Sequence, residues 1–418
     1  MSAILLAALV ASQNDWAQWR GARADGTWDA PKLPAKWPEG GLPVVWRKPV
    51  HGGYAGIAAA SGRIYTMDRE AAAGAGLDGY ERVLCLDAAS GETVWSHRYP
   101  TLYGDLTGYS NGPRAMPVVH EGRVYTLGAV GHLFCFEAAT GKMLWSKDMV
   151  AEHKARVPTW GFAASPLVDG DRLIVHAAAV PDGSLIALDR RTGKELWRSL
   201  PDPAGYCTPA IYETKAGRLL VLWTPENIRG VDPADGKLLW TLPYKVTYGV
   251  AITSPIFHED TVFITGYWEG SKAVRLGATP TDATLAWEDA RLRGVMSQPL
   301  YRDGLAYSFD NRQGLTCFEL KTGKRLWDDH RLTPKGRNPH ATMAWLGDGD
   351  RAILLNSECE LILARLSPAG YEEQSRTRLL PGKVWGHPAF SGKLLYVKTD
   401  GAERWTMKNE IACIRLVE

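Results

Sequence analysis

Five segments of the chain, residues 87–95, 137–145, 189–197, 232–240 and 319–327, spell one nonapeptide: acid-x-x-Ser/Thr/Asp-Gly-Lys/Glu-x-x-Trp. Tandem self-similarity of this kind commits a chain to repeated structural units before any single residue is weighed. Each acid ends an alternating apolar run such as Val83-Leu84-Cys85-Leu86, and each Trp lies in a second run such as Thr93-Val94-Trp95. Alternation on both sides of a nine-residue spacer predicts two strands joined by a hairpin turn. The spelling has a physical reason. Asp and Ser/Thr side chains bond backbone amides inside the turn, and the Gly takes the positive φ that closes it.

Another strand precedes each hairpin, introduced by Gly or Asp at Gly62, Gly122, Asp171, Gly217, Asp260, Gly304, Asp350 and Gly392. A short run opening with Pro comes before most of these, at Pro117, Pro166, Pro209, Pro255, Pro299 and Pro388. Proline is tolerated at the first residue of a strand, where its missing N–H breaks no ladder bond. The unit is therefore four antiparallel strands. Successive Trp residues at 46, 95, 145, 197, 240, 287 and 327 are 49, 50, 52, 43, 47 and 40 apart. Four strands at that period make a propeller blade. The predicted fold is all-β: an eight-bladed β-propeller of four-stranded antiparallel blades.

The seventh unit is degenerate, with Gly370 in its turn and Gln374 in the Trp slot, and the eighth runs out after three strands. Residues 43–50, which open Pro-Val-Val-Trp-Arg, look like the missing strand, so this N-terminal strand is expected to complete the last blade and close the ring. Closure removes the open edges at which sheets aggregate. The organisation read from the sequence is a signal peptide over 1–12, a lead-in over 13–42 and one propeller over 43–418. The signal reading rests on the apolar run Ala3 to Ala11, followed by small and then polar residues. The other readings of that run are a mis-called start or a buried strand. The run is too short to span a bilayer.

Lys+Arg 48 against Asp+Glu 46 leaves a formal charge of +2, with the signs interspersed, so no basic field exists to hold a phosphate backbone. Nucleic acid is not an expected partner, and no transmembrane helix is expected. Six Cys in an exported chain invite disulfides. Cys85, Cys135 and Cys317 each stand two residues before the acid of a hairpin, and Cys413 shares that register. Equivalent positions on separate blades are too far apart to bridge, so these read as small core hydrophobes. Cys207 and Cys359 are unplaced, and no vicinal Cys pair or Cys-x-x-Cys exists. Gly74-Ala-Gly76-Leu-Asp-Gly79 fits the dinucleotide fingerprint by letter, but it lies between two strands with no helix to follow and reads as a loop.

The repeat unit, as in Glu137 to Trp145 and Asp189 to Trp197, resembles the pyrroloquinoline-quinone (PQQ) repeat of quinoprotein-type propellers, from about Trp46 to the C-terminus. That family includes PQQ-dependent alcohol dehydrogenases and an outer-membrane-protein assembly lipoprotein that binds no quinone and acts as a scaffold. The resemblance implies that Trp46, Trp95, Trp145, Trp197, Trp240, Trp287 and Trp327 dock structurally against neighbouring blades. It favours an exported, periplasmic or secreted monomer acting as a binding or assembly scaffold. The alternative is a PQQ-dependent dehydrogenase, with calcium, oxidising an alcohol or sugar.

Function in a propeller usually sits on one face or in the central channel. The long, varied connections share one face here, and that face carries Tyr109, Asn111, Arg114, Trp160, Phe162, Tyr206, Tyr248, Gln298, His340, Trp385 and His387. These are candidates for a protein, small-molecule or carbohydrate ligand. Arg114 could hold a carboxylate or merely tie strand ends, Trp160 and Trp385 fall outside the docking register, and His340 and His387 could be acid/base groups or ordinary polar residues. Asp105, Glu226, Asp310, Asn311 and Glu358 read as solvated, though Asp310 and Asn311 could be drafted toward calcium. No catalytic residue and no metal ligand is assigned from the sequence.

Overall fold

A computed structural model describes residues 15–71, 78–103, 106, 112–310, 312, 314–332, 340–400 and 409–417. Its strands form eight separate sheets arranged as blades, each built on four antiparallel strands. The first blade is Ala58–Ala60, Arg63–Ala71, Asp78–Asp87 and Thr93–Leu102, with each strand paired to the next. The other blades repeat that plan, and the described helical structure amounts to Met149–His153 and a single turn at Thr247–Gly249.

The hairpin behaves as its spelling demands. Asp87 Oδ1 accepts from the backbone N–H of Ala89 and Ser90 at 3.1 and 3.0 Å, and Gly91 closes the turn at φ +73°. Asp189 repeats the arrangement with Arg191 and Thr192 at 3.0 and 2.8 Å. Hydrogen bonds from Ser90 and Thr192 hold both carboxyls below the usual carboxylate range.

The turn of one blade is also the seat of the previous blade's tryptophan. A Cβ on Gly141 would lie 2.5 Å from the Trp95 ring, and one on Gly91 would lie 2.6 Å from Trp46. Each of those indoles donates to the carbonyl just after the turn's acid: Trp95 to Ala138 at 2.9 Å, Trp46 to Ala88 at 3.1 Å. Trp145 to Arg190 and Trp287 to Leu320 follow suit at 3.1 and 2.9 Å, and Trp327 donates at 2.8 Å to Ser367 in the seventh turn, where the preceding residue is Leu366 and not an acid. Trp197 covers Gly236, but its N–H finds no partner. Trp240 is different: it lies over Gly230 of its own blade, its N–H is likewise unsatisfied, and the next blade's turn lacks the repeat.

A second row backs the first. Tyr65, Tyr125 and Tyr396 sit beside Cys85, Cys135 and Cys413 on adjacent strands, and their hydroxyls donate to Ala138, Arg190 and Ala88, the same carbonyls the indoles use. All six Cys are buried thiols without disulfides, and burial pushes those of Cys85 and Cys413 up to about 12. They pack as small hydrophobes.

Val44–Pro49 pairs antiparallel with Glu410–Arg415 and closes the ring in the eighth sheet. In the seventh blade the register is one residue from the expected one. Ser375, not Gln374, occupies the Trp position opposite Leu363, while Gln374 is the bulge residue that accepts from Arg351. Trp37 of the lead-in supplies the missing bulk. It is buried, its backbone N–H donates to Ser375 Oγ at 2.9 Å, and its indole donates to Leu361 at 3.2 Å.

The lead-in crosses the channel rather than hanging from it. Asp15 bridges to Ser391 and Trp16 to Ala59, and Ala17 accepts from Val119, so it touches the inner strands of blades eight, one and two. It then reaches Ser254 through Trp19 and Pro299 through Arg20, and pairs through Thr27–Trp28, parallel to the inner strand Ala341–Leu346 of blade seven. Residues 1–12 and residues 72–77 of the glycine-rich loop lie outside the described residues.

Candidate functional site

The inner strands of the blades are short and their preceding connections converge on the axis, so each connection contributes to one cavity of about 810 Å³. Tyr54, Arg114, Trp160, Tyr206, Tyr248, Gln298, His340 and Trp385 come from eight different connections and all line it, together with His387. Tyr109, Asn111, Asp105 and Asn311 lie outside the described residues. Phe162 is a buried core residue of the blade-three neighbourhood and does not line the cavity.

Much of the polar lining is used to stitch blade to blade. Met116 N–H donates to Ser165 Oγ at 3.1 Å, and Ser165 N–H to Thr208 Oγ1 at 3.0 Å. Gln298 accepts from Ser254 N–H at 2.8 Å and donates to its carbonyl at 2.9 Å, so its amide is spent on one backbone unit. Arg114 donates from Nε to the Trp160 carbonyl at 2.9 Å and lies 4.8 Å over the Tyr54 ring, joining three connections. His340 Nε2 sits 2.9 Å from the Val384 carbonyl.

His387 is half-buried against Trp19, with ring centroids 4.2 Å apart, and its Nδ1 is 3.4 Å from Thr342 Oγ1. Burial, with His340 and Arg20 nearby, pushes its pKa down to about 3. An imidazole that stays neutral at that acidity is poorly matched to general acid/base work near neutral pH.

The aromatic lining falls into three groups. Tyr54 and Trp385 are 5.4 Å apart at 31°, Trp160 and Tyr206 are 5.8 Å apart at 59°, and Tyr248 and Trp268 are 5.6 Å apart at 71°. Tyr248 is 74% exposed and holds φ +55°, a left-handed conformation that costs a non-glycine residue on the order of 1 kcal/mol or more.

Trp19 is the floor. It lines this cavity and also the roughly 700 Å³ cavity of the opposite face, so the lead-in separates the two. Sequence reasoning gave the lead-in no role and missed Trp19 and Trp268. Four tryptophans between residues 16 and 37, in a segment without the blade pattern, were the available signal for the former.

Three acids considered in the sequence sit elsewhere. Asp310 is buried and accepts from the backbone N–H of Arg293 and Arg312, both at 2.7 Å. Glu358 pairs with Lys383 at 3.4 Å, and Glu226 is exposed. No Asp or Glu is among the described residues lining the cavity.

A PQQ-repeat family profile described as outer membrane protein assembly factor BamB matches residues 79–329. The chain belongs to this family. The BamB of Yersinia pestis is 21% identical over 341 residues, covering 75% of this chain and 77% of that protein. The quinohemoprotein alcohol dehydrogenase ADH IIB of Pseudomonas putida is 31% identical over 189 residues, 43% of this chain. That match spans only 26% of the dehydrogenase's own length, and the match to the 1-butanol dehydrogenase of Thauera butanivorans spans 23% of that enzyme. Among solved structures, the quinohemoprotein alcohol dehydrogenase of Comamonas testosteroni superposes with TM-score 0.67 at 13% identity, over 97% of this chain and 81% of that one. BamB from Moraxella catarrhalis superposes with TM-score 0.59 at 14% identity, over 90% and 99%. At these identities the superpositions establish the shared fold, and the relatives include both assembly factors and dehydrogenases.

Proposed function

We propose that this PQQ-repeat propeller is a non-catalytic binding protein whose working surface is the aromatic cavity of the loop-rich face. The supporting observation is the composition of the lining: aromatic faces, one guanidinium, and polar groups such as Gln298 already committed to the frame. A quinone-dependent dehydrogenase needs a calcium cage of oxygen ligands, carboxylates prominent among them, and a carboxylate base for the alcohol proton. The described lining offers no carboxylate, and no described cluster of three His, Cys, Asp or Glu is arranged to hold a metal. The described residues therefore do not fit the PQQ–calcium pair.

Quinone-dependent oxidation remains the second reading, favoured by the 31% identity to a quinohemoprotein alcohol dehydrogenase. Incubation of the full chain with PQQ, Ca²⁺, ethanol and an artificial electron acceptor separates the two. The binding reading expects no dye reduction, and turnover above a heat-treated control overturns it. For location, no helix among the described residues is long and apolar enough to cross a membrane. We read residues 1–12 as an export signal; fused to a reporter active only outside the cytoplasm, they are expected to direct its export.

A further inference from the structure

We propose that the cavity takes an oligosaccharide, with successive sugar rings laid on its three aromatic groups; this rests on reading the cavity as a binding site. The first argument is ring geometry. A flat conjugated ligand is best held between two parallel faces about 7 Å apart, two van der Waals contacts of roughly 3.5 Å. The three ring pairs here stand at 31°, 59° and 71° and come from different connections around the mouth. With Tyr54 buried under Arg114, the rings left to meet a ligand, Trp385, Trp160, Tyr206, Tyr248 and Trp268, stand on separate connections. A sugar ring suits a single face: its axial C–H bonds form an apolar side that packs on an aromatic ring, and its hydroxyls point outward to water.

The second argument is the state of the polar lining. Ser165, Thr208 and Gln298 are engaged between blades, so they do not form the ordered donor and acceptor array that an extended peptide backbone demands. A ligand whose hydroxyls stay hydrated at an open mouth loses little there. Size points the same way, because about 810 Å³ is near the upper end for small-ligand pockets and has room for several linked rings.

The third argument is Tyr248. An aromatic ring 74% exposed on a left-handed residue, edge-on to Trp268 at 39% exposure, gives the fold little. Backbone strain combined with an exposed ring is how binding surfaces depart from what stability alone would select. The neighbouring Gly249 also holds positive φ, so the turn is shaped to present that ring at the rim.

The test is isothermal titration of the full chain with cellohexaose, xylohexaose, mannohexaose and chitohexaose, each against its monosaccharide. At least one hexasaccharide is expected to bind in the micromolar to millimolar range and its monosaccharide at least about tenfold more weakly. Trp268→Ala and Tyr248→Gly should each weaken that binding about tenfold, while Tyr248→Gly, which relieves the left-handed strain, keeps the wild-type melting temperature. Failure of all four hexasaccharides, or binding indifferent to both variants, overturns the sugar assignment. In that event PQQ and an apolar decapeptide are titrated next. Binding of either that Trp268→Ala weakens leaves the cavity a binding site for another ligand class, and silence from both removes the cavity reading as well.

Discussion

The turn-facing rim and the central cavity are both built from tryptophan and tyrosine, yet they spend those rings in opposite ways. On the rim, Trp95 is buried over Gly141 with its N–H bonded to Ala138, and the same triad of ring, glycine and carbonyl recurs from blade to blade. In the cavity, Tyr248 and Trp268 keep much of their surface in water, and the three ring pairs share no common angle. Trp240 and Trp327 excepted, rings that dock a repeat pack onto a glycine of the next blade's turn and stand at equivalent positions from blade to blade. Rings that line the cavity are partly exposed and each is different.

The contrast predicts a ranking of effects. Trp95→Ala should cost about 3–5 kcal/mol of unfolding free energy, as large core truncations do, whereas Trp268→Ala should cost less than about 1 kcal/mol. Urea titration of both variants measures the gap, and equal losses would erase the distinction. Gly141→Val should cost about 3 kcal/mol, because valine at φ +73° is strained and its Cβ would collide with the Trp95 ring.

Buried imidazoles sharpen the same comparison by pH. Burial pushes His176, bonded to the Cys207 carbonyl in the blade frame, down to about 4 and His387 in the cavity wall to about 3. The unfolded chain then binds more protons than the folded one at every pH between the ordinary value near 6.5 and these lowered values. Stability is fully present above about pH 6.5 and falls as pH drops through that window, by on the order of 3 kcal/mol for His176 and about 5 kcal/mol for His387. His176→Gln should flatten the pH dependence of the urea midpoint between pH 6.5 and 4. The smallest effect concerns the indole N–H. Trp95→Phe should be about 1 kcal/mol more costly than Trp197→Phe, since only Trp95 donates a hydrogen bond. Matched melting curves check it.

Much of the rim was legible in the chain's letters because every part of a dock is local. The acid, the hydroxyl residue and the glycine lie within five residues, and the Trp follows four later on the paired strand. The cavity was legible only as a face. Eight of the expected residues, from Arg114 to His387, do meet there, because the connections before the inner strands must converge on the axis. The condition of each was hidden. Gln298 turns out to be tied to Ser254, Arg114 to Trp160, and Phe162 to the core, through bonds spanning 44 and 46 residues for the first two. The degenerate seventh blade misled by one position for a similar reason: without a Trp to fix it, the register is decided by a bulge and by Trp37 arriving from the lead-in.

The sequence by itself determined the blade, its turn chemistry, the period and the closing strand, since short-range hydrogen bonding and alternation of apolar residues act on neighbours along the chain. Tertiary structure alone decided that Trp19 would floor the cavity, that the lead-in would divide the channel in two, and that no Asp or Glu would stand in the cavity's described lining. Those outcomes depend on residues from eight connections meeting at one axis, a distance relation that carries no periodicity in the chain and is fixed only when the ring shuts.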